Sequence, residues 1–334
     1  MKTFIKILCF SGLFLLVFSK FSSVFSFKYG DGIYDLTKYY EQDKNTVDVL
    51  ILGSSHAFES FNTGTLWDEY GMSSFILGGS AQPLWNCYYY LKEALKTQTP
   101  KLIVLEGWCT HIMFRFSDDS RIIKNNFGLR FSPDKIKSIM VSTNKRRWPE
   151  FLLEYIHYHS RYKEISQKDF LKNQGRELYE DWKGFGCNMA KTELKPVDVS
   201  EVLDRTELTK KTEKYYRAII ELAQEKGIPI IIIISPYAGI NEEQQKCFNR
   251  ASDICAEYNV PFINCNLLFD DIGLDFSTDV ADQDHLNYKG NQKFSRYIGA
   301  VLKEKFDIPD RRGDEKYVSW QRHADYIRKN YYNQ

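Results

Sequence analysis

The 334-residue chain lacks an excess of charge of either sign: 45 Lys and Arg face 44 Asp and Glu, for a formal net charge of +1. No global field therefore steers it toward nucleic acid or an acidic partner, and no run of like charges forms a tail that does so locally. It lacks an internal repeat of solenoid period, which excludes a stacked array. A Gly-rich phosphate loop and a metal-spaced carboxylate cluster are both missing, which ranks phosphoryl transfer low. The seven cysteines include no C-x-x-C, and Cys247 and Cys255 stand eight apart, so no metal template is present. Disulfides remain open for the six cysteines beyond Cys9, with buried free thiols as the equal alternative. His157 and His159 do not make a metal pair, because residues two apart on a helix point away from each other. No metal and no cofactor is expected.

Aromatics are abundant, with 22 Tyr and 23 Phe. The N-terminus carries Lys2 and Lys6 ahead of a long apolar stretch, the pattern of a targeting segment. Counted from Phe4 to Phe27 it is long enough to span a bilayer, with Lys20 near the outer interface. We read it as an uncleaved anchor, with cleavage after Val24-Phe-Ser26 as the alternative. Either reading exports the bulk of the chain.

From Val47 onward the pattern alternates. Val47 to Leu52 is apolar but for Asp48 and predicts a buried strand. A helix follows to about Tyr70, capped by Asn62 or Thr63. Ser73–Leu77 predicts strand two, Pro83 to about Lys96 a helix, and Lys101–Leu105 strand three. Residues 106–200 then break the pattern with helical pieces, notably 134–141 and 149–165. Such an excursion makes a lid or side wall. Alternation resumes with a helix over 208–226, a strand over Ile228–Ile234, a helix over 242–258, a strand over Pro261–Asn264 and a closing helix over 289–306. The expected fold is α/β, a doubly wound parallel five-stranded sheet of flavodoxin-like type with a helical insert after strand three. Residues 1–27 are the anchor or signal peptide, 28–46 a tether, 47–307 the main domain and 308–334 a helical tail that packs on it or lies near a membrane surface.

Two stretches carry the chemistry. Gly53-Ser54-Ser55-His56 ends strand one, where open α/β sheets place ligands and where a tight strand-to-helix turn can hold a nucleophile. Alone it also reads as a helix cap, serine being a preferred N-cap. Far along the chain, Asp282-Gln-Asp-His285 precedes the last helix. A serine nucleophile needs a base within hydrogen-bond reach, and the base needs an orienting carboxylate. Asp282 and His285 supply both, although capping by Asp282 or Asp284 is the plainer alternative.

Together these stretches resemble the SGNH (GDSL-like) hydrolase superfamily. Its Gly-Asp-Ser block is similar to Gly53-Ser54-Ser55, and its Asp-x-x-His block to Asp282–His285. The glycine block that lends an oxyanion N–H falls in Leu77-Gly78-Gly79-Ser80-Ala81, with Ala81 in the donor position. The family's Asn after strand three has no counterpart in Leu105–His111. Gly79-Ser-Ala-Gln-Pro and the anchor look like a branch that includes the D-alanyl transfer protein and the envelope polysaccharide O-acetyltransferases. The resemblance implies Ser55 as nucleophile, His285 as base and Asp282 as its orienter. An oxyanion hole would form from Ser55, Ala81 and Gly79, joined by Gln82. His56, Glu106 and Trp108 are candidates for substrate contact, each with a packing role as the alternative. Trp85, Trp108 and Trp182 are a candidate sugar-stacking surface or core. The implied function is a membrane-anchored, extracytoplasmic acyl esterase or O-acyltransferase. Its implied substrate is an acylated glycan or small ester, and its implied partner a multi-spanning acyl-donor protein. The alternative is a catalytically weak binding module of the envelope.

Overall fold

The computed structural model describes residues 2–26, 32–170 and 182–332. An apolar helix opens the chain, α1 (Lys2–Phe25), followed by α2 (Ile33–Tyr40). Then come β1 (Val49–Gly53), α3 (Ser55–Ser60), α4 (Thr63–Tyr70), β2 (Ser74–Gly78), α5 (Leu84–Ala94) and β3 (Leu102–Glu106). The insert carries α6 (Asp119–Asn126), α7 (Pro133–Ser142), α8 (Trp148–Leu152) and α9 (Tyr155–Tyr158). The domain closes with α10 (Lys210–Glu225), β4 (Ile230–Ile234), α11 (Glu242–Glu257), β5 (Phe262–Asn264), α12 (Phe269–Ile272) and α13 (Tyr288–Lys305), and the tail with α14 (Val318–Ile327).

The five strands are all parallel, in the order β2-β1-β3-β4-β5. This is the flavodoxin-like order, with its switch point between β1 and β3. Side chains alternate across the sheet as the period of two demands. Leu50, Leu52, Phe75, Ile103 and Ile232 face one layer, where Tyr39, Trp85, Leu91, Tyr216 and Ile219 are buried. Val49, Ile51, Ile76, Val104 and Ile233 face the other, built from Leu66, Phe294, Ile298 and Leu302. The interior strand β4 is five isoleucines, all buried, because a parallel strand covered on both faces has no use for polar alternation.

The structure refines some expectations and chooses between the alternatives of others. Within the stretch expected as a tether, of which residues 28–31 lie outside the described residues, α2 packs on the sheet through Leu36 and Tyr39, both fully buried, with Tyr39 Oη donating to the Ala94 carbonyl at 3.1 Å. The tail packs on the domain. Trp320 Nε1 donates to the Ser74 carbonyl at 2.9 Å, and Arg311 meets Asp48 through two bonds of 2.7 and 3.0 Å. The helix expected over 149–165 breaks at Leu153 and Glu154 into α8, α9 and a short 3-10 turn. All seven cysteines are free thiols.

Candidate active site

Glycine at position 53 is what lets β1 turn sharply here. A Cβ on Gly53 would lie 2.8 Å from both the Ala57 and the Glu106 Cβ atoms. Ser54 then caps α3, its Oγ accepting from the His56 N–H at 3.3 Å. The cap and the candidate nucleophile are thus two different serines. Ser55, the first residue of α3, has its Oγ 2.8 Å from His285 Nε2.

His285 stands on a folded loop before α13. The Asp279–Leu286 segment closes on itself through the Ala281 N–H to the His285 carbonyl at 2.9 Å and the Asn287 amide to the Thr278 carbonyl at 2.8 Å. The loop after β4 grips it as well, the Gly239 N–H donating to the Gln283 carbonyl at 2.7 Å. The cap of α13 is Asn287, neither Asp282 nor Asp284. Asp282 is therefore left to hold the imidazole, with Oδ1 and Oδ2 at 2.9 and 3.0 Å from Nδ1. It also accepts the backbone N–H of Asp284 and of His285. Partial burial raises the Asp282 pKa; bonds from the His285 ring and these two N–H groups outweigh that and hold the carboxyl below the usual range. An ionised Asp282 fixes Nδ1 as the protonated nitrogen and leaves Nε2 as the acceptor facing Ser55.

The Gly79–Gln82 turn lies beyond the edge of β2. The Gln82 N–H closes it by donating to the Gly79 carbonyl at 3.0 Å, and Ala81 is held at φ +45°. A left-handed alanine is strained, and such strain clusters at functional sites. The Ala81 N–H donates to no group among the described residues. The Gln82 side chain does not join a hole: its NH2 reaches inward to the Leu77 carbonyl and Cys87 Sγ, both at 3.4 Å, and it is fully buried. Gly79 is required for another reason, since a Cβ there would lie 2.2 Å from Asn125 Oδ1.

Asn125, on α6 of the insert, donates to the Ser80 carbonyl at 3.2 Å, and its buried Oδ1 has no partner. Sequence reasoning sought an Asn directly after β3 and missed this one, which arrives beside the turn from a helix with no motif of its own. Glu59 was missed too. It lies one helical turn after Ser55 and accepts from Asn188 Nδ2 at 3.0 Å. Burial pushes its carboxyl up, against the pull of His285 and Asn188. With Gly186, Cys187, Asn188 and Met189 it lines a groove of about 350 Å³.

The three candidates for substrate contact separate. Trp108 is partly exposed and stacks on His56, ring centroids 4.5 Å apart and 18° between planes. His56 is buried, 5.4 Å from the His285 ring, with both ring nitrogens unpartnered. Burial, then the neighbouring His285 and His111, push its pKa well down, so the ring is neutral. Glu106 lies beneath the turn and is fully buried. Its Oε1 accepts from the Trp108 and Ser235 N–H groups at 3.1 and 3.3 Å while Oε2 has no partner. Burial pushes its carboxyl up to about 8 despite those two bonds. Trp85 is core, and Trp182 packs on Tyr326 and Tyr331. Among the described residues, no three His, Cys, Asp or Glu side chains group as metal ligands do.

No family model matches the sequence, and no curated protein matches it. Solved structures do. One is the crystal structure of a proposed acylhydrolase from Bacteroides fragilis, at 10% identity and a TM-score of 0.37 over 79% of this chain and 89% of that one. A likeness this distant says nothing of activity or substrate.

Proposed function

We propose that this chain is a serine-dependent acyl esterase or O-acyltransferase of SGNH type. The observation that carries the reading is the continuous chain from Ser55 Oγ through His285 to Asp282 at the C-terminal edge of β1. Ser55 attacks the carbonyl carbon of an ester while His285 Nε2 takes the hydroxyl proton. The tetrahedral oxyanion is held by the Ala81 N–H and the Ser55 N–H. One such donor contributes about 3 kcal/mol, on the order of a hundredfold in rate. Collapse expels the alcohol, which receives the proton from His285, and leaves Ser55 acylated. Water or a sugar hydroxyl then gives its proton to His285 and attacks the acyl carbon, and collapse breaks the acyl–Oγ bond as His285 passes the proton to Ser55 Oγ. Asp282 stabilises the imidazolium in both halves.

The helix Lys2–Phe25 is long and apolar enough to be a membrane anchor or a signal sequence. An anchor would hold the site outside the cytoplasm, where the proposed substrate is an acylated envelope polysaccharide and the proposed acyl donor a multi-spanning membrane protein. The lack of an Asn in Leu105–His111 favours a second reading, a catalytically weak binding module. Labelling by a fluorophosphonate separates the two, because only an activated serine reacts. We expect the native chain to label and Ser55→Ala not to. Equal labelling of both, or of neither, overturns the enzymatic reading. Acetyl release from a chromogenic ester, with and without a glycan acceptor, then distinguishes hydrolysis from transfer.

A further inference from the structure

Helix α1 does not leave the domain freely. Its last turns lie against the insert: the rings of Phe18, Phe21 and Phe25 surround Tyr155 at centroid distances of 6.1, 5.5 and 5.2 Å, and Arg161 donates to the Phe25 carbonyl. The 3-10 turn Gln167–Phe170 reaches further along the helix. Asp169 and Phe170 line a groove of about 630 Å³ with Leu13, Leu16, Val17, Lys20, Phe21, Ser23 and Val24. Asp169 is spoken for by Arg161 and Ser166, but Phe170 is 70% exposed. So are Leu153 and Ile156, at 50% and 41%, on either side of the Tyr155 that holds α1.

The rise of a helix converts this contact into a depth. Leu16 and Leu13 precede Lys20 by four and seven residues, or about 6 and 10 Å along the axis. With Lys20 at the outer interface, the groove that Phe170 lines therefore runs from the interface into the part of α1 that lies inside the hydrocarbon. A large apolar side chain held there costs nothing in lipid and a great deal in water.

We propose that the insert is seated in the membrane: Phe170, with Leu153 and Ile156 on either side of Tyr155 as further exposed apolar contacts, enters the outer leaflet of the bilayer that α1 spans. The proposal rests on α1 being an anchor. The insert then acts as a second, monotopic contact that fixes the domain on the lipid surface instead of letting it swing on α1. The occupant of the face is lipid because the same face already holds the spanning helix, and the apolar groove between them continues from that helix.

The test uses the full chain in vesicles of phosphatidylcholine and phosphatidylglycerol. Cys9→Ser and Cys187→Ser remove the two thiols that are not buried. A nitroxide is placed at Phe170→Cys, with Phe10→Cys in mid-helix and Leu203→Cys on the exposed surface as references. Collision rates with oxygen, which enters lipid, and with a nickel complex, which does not, report depth. We expect Phe170→Cys to be shielded from nickel, shallower than Phe10→Cys but with a nickel rate several-fold below that of Leu203→Cys. A Phe170→Cys label as open to nickel as Leu203→Cys, while Phe10→Cys stays shielded, overturns the seated insert and leaves the anchor standing. A Phe10→Cys label that is lost with a cleaved segment, or is open to nickel, overturns the anchor and the proposal with it.

Discussion

Glu106 shows how one residue ties the site to pH. In an unfolded chain its carboxyl ionises near 4.5, and in the fold near 8, because burial disfavours the charge. Below about pH 4.5 both states hold the proton and the group costs nothing. Between the two values the unfolded chain releases a proton that the fold must keep, so stability falls as pH rises, and levels off above about 8. Glu106→Gln retains the Oε1 acceptor for the Trp108 and Ser235 N–H groups and cannot ionise. We expect its stability to match the native chain near pH 4.5 and to exceed it on the order of a few kcal/mol at pH 8.5. Denaturant unfolding at both values checks this, and a difference that does not change with pH would rule it out. Gly53 gives a companion case. Gly53→Ala puts a methyl group 2.8 Å from the Ala57 and Glu106 Cβ atoms, which no side-chain rotation can move away. The expected loss is about 1–3 kcal/mol of stability, read by the same unfolding curves, with Ser55 displaced and fluorophosphonate labelling slowed.

At the scale of elements, the edge of β2 depends on a helix far outside the sheet's own sequence pattern. Asn125 on α6 props the Ser80 carbonyl and so holds the turn that presents the Ala81 N–H. Asn125→Ala frees that turn without touching Ser55, His285 or Asp282. We expect ester turnover to fall about tenfold in kcat, or about 1.4 kcal/mol of barrier, with KM little changed and fluorophosphonate labelling retained. Ala81→Gly should leave the donor in place and keep activity, since glycine adopts a positive φ without strain; loss of turnover there would remove Ala81 from the oxyanion hole. The same elements explain what could be read from the chain. β4 announced itself through five consecutive isoleucines, and Asn62 through its place before an apolar helix. Ser55, Asp282 and His285 were legible because each sits at a strand end or helix entrance. α3 was not, because six residues are fewer than two turns and show no period. Asn125 and Glu59 were not, because only tertiary packing brings α6 to the turn and Asn188 to α3.

At the scale of the molecule, the tail locks the opposite edge of the sheet. Asp48 immediately precedes β1 and is 4% exposed; Arg311 grips it from the tail with two bonds while Ser73 Oγ donates at 2.8 Å. Downstream, Trp320 is buried against β2, with the Lys183 ammonium 3.8 Å from its ring centroid. His323 completes the clasp by meeting Thr63 Oγ1 on α4 at 2.8 Å. The strand that carries Ser55 at one end is thus anchored to residues 308–327 at the other. Arg311→Ala leaves Asp48 buried with a single hydroxyl donor from Ser73, a cost set by an uncompensated charge more than by the lost attraction. Because Arg311 is partly exposed, the expected loss is about 2 kcal/mol, below that of a fully buried pair. Asp48→Asn in the same chain removes the charge left behind, so the double variant should recover part of that loss. A double-mutant cycle on the full chain in detergent measures it. Strict additivity of the two substitutions would mean that the pair does not hold the tail to the sheet. Coupling, with turnover at Ser55 unchanged in all three variants, would separate what keeps the fold closed from what performs the chemistry.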